Sequence, residues 1–134
     1  MFEDGVAAYQ RTDYSTALNF LRPVAEQGDV NAQHDLGLMY YNGEGGPQDL
    51  TEAEKWWRKA AEQGHAYAQF SLGSVYQYGH GVPQDKALAH MWFSLAAVQI
   101  FEGAMGRDMV AEEMTPDQIT KAQRMAREWM AKHQ

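Results

Sequence analysis

The chain has 134 residues, 45% hydrophobic and 12% aromatic, with no cysteine and a formal net charge of −7. Its length fits one domain with a buried core. Its acidity argues against non-specific binding to nucleic acid or a membrane surface, which needs clustered Lys and Arg. The lack of cysteine excludes a disulfide framework or a Cys-based zinc site, and no 18-residue apolar run is present to span a bilayer.

In chain order, patterned helix begins at Phe2 with no signal-like segment before it, as expected of a chain whose leader has been removed. Gly5-x-x-Ala8-Tyr9 and Ala17-x-x-x-Leu21-x-x-Val24 mark the two helices of a first unit, about 2–28. A tight turn, Gln10-Arg11-Thr12-Asp13, joins them.

From residue 25 the chain repeats itself. Residues 25–61 return as 61–97 at a constant offset of 36, without a gap, and 18 of the 37 aligned positions are identical. A fixed period of this length means stacked supersecondary units rather than a closed globule. Each unit reads as two antiparallel helices. The first runs over about Val30–Asn42 and again Ala66–Tyr78, with Ala32, Leu36, Gly37 and Tyr40 on one face. Gly37 and Gly73 lie inside these helices, where glycine costs roughly 1 kcal/mol against alanine. Their recurrence implies a partner helix crossing close by. The loops Gly43-Glu44-Gly45-Gly46-Pro47-Gln48-Asp49 and Gly79-His80-Gly81-Val82-Pro83-Gln84-Asp85 are connectors, since they lack the Lys-Ser/Thr and preceding strand of a phosphate cradle. The second helix follows at about Leu50–Glu62 and Lys86–Gln99. Its buried stripe is Ala53, Trp57 and Ala60, matched by Ala89, Phe93 and Ala96. Trp56 and Trp92 flank that stripe and are expected to be only partly buried.

The repeats divide the chain into units of about 2–28, 29–64, 65–100 and 101–134. In the last, Phe101–Met114 is expected to be a further first helix, although Gly103 and Gly106 weaken it. Thr115-Pro116-Asp117-Gln118 is a strong helix start. The final helix, about Pro116–Lys132, carries Ile119, Ala122, Met125, Ala126 and Trp129 on one face and a polar outer face suited to capping.

The signature Ala-x-Ala-Gln-x-x-Leu-Gly-x-x-Tyr-x-x-Gly-x-Gly-x-Pro-Gln-Asp, then Ala-x-x-Trp-aromatic-x-x-Ala-Ala, stands nearly whole at 30–61 and 66–97, with Val30 in the first Ala position. It resembles the Sel1-like repeat family of the tetratricopeptide superfamily. The N-terminal unit resembles an ordinary tetratricopeptide repeat, and the tail from Met114 resembles the closing helix of bacterial members. The resemblance implies an all-α fold, an α/α superhelical solenoid of antiparallel helix pairs, which binds a protein or peptide partner as an adaptor. It also implies a periplasmic or secreted location, with the cytoplasm left open. A disulfide-rich subgroup is associated with β-lactam binding or hydrolysis. This chain departs from that subgroup at every bridge, so a weak hydrolase or binder of cell-wall-like compounds stays only as the alternative.

In such folds the first helix of each unit lines the concave face. Removing the packing positions leaves Phe2, Val6, Tyr9 and Gln10 in the first unit. The second unit offers Asn31, His34, Leu38, Tyr41 and Asn42, and the third Tyr67, Phe70, Ser74, Gln77 and Tyr78. These positions differ between otherwise similar repeats, as recognition residues can and scaffold residues should not. Their aromatics and amides suit a groove that stacks side chains and bonds peptide backbone. Alternatively they are simply exposed, with Phe2, Leu38 and Phe70 packing between repeats.

The five histidines are spaced 31, 15, 10 and 43 apart, and none makes the i, i+4 pair of a zinc site. No nucleophile elbow or Ser-x-x-Lys occurs, and the carboxylate pairs Glu52/Glu54 and Glu112/Glu113 read as solvated helix surface. The sequence therefore predicts no catalytic residue, no metal and no cofactor. It predicts a monomer, with end-to-end association through Phe2, Trp129 and Met130 as a further possibility.

Overall fold

The computed structural model describes residues 2–10 and 13–133. Eight helices and no strand are found among them: α1 Phe2–Gln10, α2 Tyr14–Glu26, α3 Val30–Asn42, α4 Leu50–Glu62, α5 Ala66–Tyr78, α6 Lys86–Ala97, α7 Phe101–Ala111 and α8 Pro116–Lys132. The fold is all-α. The helices fall into two compact units, one ending at His65 and the other beginning at Ala66. Arg11 and Thr12 of the expected first turn lie outside the described residues.

Local chemistry sets the helix ends. Asp29, Asp49 and Asp85 each accept from the backbone N–H three residues on, at 2.9–3.0 Å, which satisfies a donor the helix leaves unpaired. Thr115 and Gln118 form the expected reciprocal cap of α8, at 3.2 and 2.9 Å. Gly43 and Gly79 close α3 and α5 in the left-handed conformation, both at φ 71°. The loop hydrogen bonds recur between copies. Asp49 N donates to Tyr40 O and Asp85 N to Tyr76 O, each at 2.9 Å. Gln48 Nε2 donates to Tyr41 O at 2.8 Å and Gln84 Nε2 to Gln77 O at 2.7 Å. Pro-Gln-Asp therefore repeats because the Gln side chain and the Asp backbone N–H tie the loop to the last turn of the helix before it, while the Asp side chain caps the helix after it.

In the first unit, α1 packs on α2, α2 on α3 and α3 on α4. The Trp57 ring lies so close to Gly37 that a Cβ there would stand 2.3 Å from it. Trp57 Nε1 also donates to His34 O at 3.2 Å. The helix-crossing reason expected for Gly37 is thus a tryptophan. Trp56, expected to be half-exposed, is only 4% exposed and joins a core with Leu21, Val24, Leu36 and Met39. The Lys59 ammonium lies 4.8 Å from its ring centroid. Glu54, expected at the surface, is 7% exposed and ion-paired with Arg58.

In the second unit, α5, α7 and α8 all pack on α6. Gly73 repeats the close approach, now against Phe93. Trp92 is also 4% exposed, with Trp129 of α8 edge-on to it at 6.1 Å. Two helices end early. α6 stops at Ala97, where Gln99 N and Ile100 N turn back to Ala96 O. α7 stops at Ala111, with turn bonds from Glu113 N to Val110 O and Met114 N to Ala111 O. The glycines of α7 are contact positions. A Cβ on Gly103 would lie 2.4 Å from the Ala97 backbone nitrogen, and one on Gly106 would lie 2.6 Å from the Phe93 ring.

Candidate functional site

Gly73 and Gly106 let α5 and α7 both press on the Phe93 ring, and the space left between the two helices is a groove of about 230 Å³. Phe70, Ser74, Gln77 and Tyr78 form its α5 wall, and Phe93 lies beneath. The α7 wall is Glu102, Met105, Gly106 and Met109. The Phe70 ring is tilted 56° to that of Phe93 with centroids 5.5 Å apart. Tyr78 is exposed and stacks on His80 at 5.6 Å. Met105 and Met109 are half-exposed, so the groove opens on flexible thioethers.

Two polar groups stand in this apolar setting. The Gln77 side chain is only 6% exposed, and its amide makes no hydrogen bond to the described residues; only its backbone carbonyl is used, by Gln84. The Glu102 carboxylate is exposed and has no ion-pair partner among the described residues.

Four of the five positions expected on α5 thus converge on one groove, while Tyr67 is exposed and lies off it. Glu102, Met105 and Met109 were not expected. Their signal was Gly106: they lie four before, one before and three after it, as Phe70, Ser74 and Gln77 lie three before, one after and four after Gly73.

The first unit places its candidates differently. Val6, Tyr9 and Leu38 meet, with Asp35, around a smaller pocket of about 80 Å³ between α1 and α3. Tyr9 donates to the Glu44 carboxylate at 3.2 Å, and burial followed by the Glu44 charge holds its pKa above the ordinary tyrosine range. His34 stacks on His65 at 4.5 Å, and its Nδ1 lies 3.5 Å from Asp35. Tyr41 packs 5.4 Å from Trp57. Phe2 faces a separate open hollow with Val24, while Gln10, Asn31 and Asn42 are exposed. Among the described residues no three His, Asp or Glu side chains gather where they could hold a metal. No described helix is long and apolar enough to cross a membrane.

Paired helices, glycine crossings and period-36 loops define an α/α repeat protein. The Sel1 repeat profile matches residues 1–29, 30–65 and 66–98, and the chain belongs to that family. The first match includes the unit expected to be an ordinary tetratricopeptide repeat. A solved structure of c5321, a protective antigen of uropathogenic Escherichia coli strains with an SLR fold, is 30% identical with a TM-score of 0.91. The match covers 96% of this chain and 29% of that one. A Sel1 repeat protein from Oxalobacter formigenes is 32% identical with a TM-score of 0.79, over 84% of this chain and 47% of that one. The chain therefore spans less than half the length of either. A search of curated proteins returns no significant match. Sel1 repeat proteins are generally protein-interaction scaffolds.

Proposed function

We propose that this chain is a non-enzymatic adaptor that holds a segment of a protein partner, with the α5–α7 groove as its main contact. Asn31, His34, Leu38, Tyr41 and Asn42 offer a second contact face on α3, and Tyr67 adds an exposed ring on α5. One observation carries the reading: Phe70, Ser74, Gln77 and Tyr78, where two otherwise similar repeats differ, open together onto one groove. Its volume is below the roughly 300–1,000 Å³ usual for small-molecule sites, which favours one or two side chains of a protein over a metabolite. No basic residue lines it, which disfavours a nucleic-acid backbone.

The test is crosslinking capture from the native organism, with the wild-type chain beside a Phe70→Ala/Tyr78→Ala variant. A partner retained only by the wild type, with the variant still folded by circular dichroism, is the expected result. Equal recovery by both would refute the groove.

A further inference from the structure

The groove selects its occupant by charge as well as shape. We propose that it takes a short extended segment carrying an apolar anchor next to Lys or Arg; this rests on the adaptor reading above. Phe70 to Tyr78 is a rise of eight helical steps, or about 12 Å, the length of about four extended residues. The apolar anchor sits over Phe93 between Phe70, Met105 and Met109, side chains that adapt to it. Gln77 supplies the polar half of the contact. Gln77 lines the groove, and its amide has no partner within the described chain. A docked segment that cuts this amide off from water must pair with it, because an amide buried without a partner is costly. The peptide group of an extended segment offers both the donor and the acceptor that it lacks.

The charge preference comes from Glu102. It is the only residue lining the groove that carries a charge at neutral pH, its carboxylate is unpaired among the described residues, and the chain as a whole carries −7. The nearest cation on α7, Arg107, is held 3.2 Å from Asp108. A cation on the incoming segment meets an unneutralised carboxylate and an attractive field, whereas an acidic segment meets repulsion from both.

The experiment uses the whole chain with ¹³C-methyl methionine and two sets of capped hexapeptides. Each peptide has a central Leu or Phe, flanked by Lys in one set and by Glu in the other. The Lys set should shift the Met105 and Met109 methyl signals saturably, and the Glu set should bind about fivefold or more weakly. Glu102→Lys should reverse that order. Gln77→Leu should weaken the Lys peptides about tenfold while leaving the free chain about as stable, because an amide that bonds nothing within the described chain is replaced by an apolar group of similar size. Equal binding of the two peptide sets, or no reversal by Glu102→Lys, overturns the charge assignment. If Lys peptides move neither methyl while capture of a partner still depends on Phe70 and Tyr78, the adaptor stands and the basic segment falls. If that capture fails as well, both fall.

Discussion

Gly73 is the most informative single position for the packing logic of the repeat. A Cβ there would lie 2.5 Å from Phe93 Cδ1 and Cε1, against about 3.5–4.0 Å for an ordinary carbon contact. The ring must therefore yield by about 1 Å, yet it is 1% exposed and sits in a close-packed interior. Overpacking of this kind costs about 1–3 kcal/mol, and so well-buried a ring belongs at the upper end. Alanine returns about 1 kcal/mol of helix propensity, so Gly73→Ala should lose about 2 kcal/mol net. The same substitution in a Phe93→Leu background meets no ring, and only the propensity gain remains. The double-mutant cycle should then show a coupling of about 2–3 kcal/mol, read from urea unfolding with both backgrounds at one slope. Gly46→Ala, with nothing within 4 Å of its Cβ, is the control. An equal cost of Gly73→Ala in the Phe and Leu backgrounds would refute the argument that the ring explains the glycine.

Two further outcomes can be checked alongside. Burial, then the neighbouring His34, holds the His65 pKa below the ordinary histidine range, and burial, then Arg107, does the same for His90. Both rings bind protons more readily when unfolded, so their contribution is full above about pH 6.5 and is lost as pH falls through that value; His65→Gln and His90→Gln should each flatten the melting temperature against pH between 7.5 and 5, and unchanged slopes would acquit both rings. Gln33 is 4% exposed, donates to Ala25 O at 3.1 Å and accepts from Gln63 at 2.8 Å; Gln33→Leu should cost about 1–2 kcal/mol in chemical denaturation, and Gln63→Ala should cost less in that background than alone, whereas strict additivity would mean the two amides act separately.

The helices were legible because the chain punctuates them chemically. Thr115 caps α8 where the sequence places a cap, Asp29, Asp49 and Asp85 cap α3, α4 and α6, and α3, α4, α5 and α8 have the expected bounds. What a single helical stripe could not show is the second face of a helix. Trp56 and Trp92 lie beside the stripe of Trp57 and Phe93, yet they are equally buried, because a repeat helix is covered from two directions. Glu54 was hidden for the same reason, its charge met by Arg58 one turn on. On α7, Gly103 and Gly106 read as helix breakers by propensity, although close contacts with Ala97 and Phe93 demand them. Missing that register left the α7 wall of the groove unread, whereas the α5 wall consists of positions that stand out in the sequence by failing to repeat.

One residue ties the two halves of this protein's chemistry together. Phe93 fills the notch made by Gly73, touches the notch made by Gly106, and forms the floor of the groove between the helices that carry them. The glycines set how near α5 and α7 can stand to the ring, and hence how wide the groove is. Residues one to five positions from those glycines then project to its walls without disturbing the crossing. Packing positions must repeat because each ring needs its glycine, whereas Phe70, Ser74, Gln77 and Tyr78 carry no such debt and are free to differ from His34, Leu38, Tyr41 and Asn42. The separation between repeating scaffold and non-repeating wall is therefore a consequence of side-chain volume at the crossing, and it explains how one stacking geometry can present a different surface in each repeat.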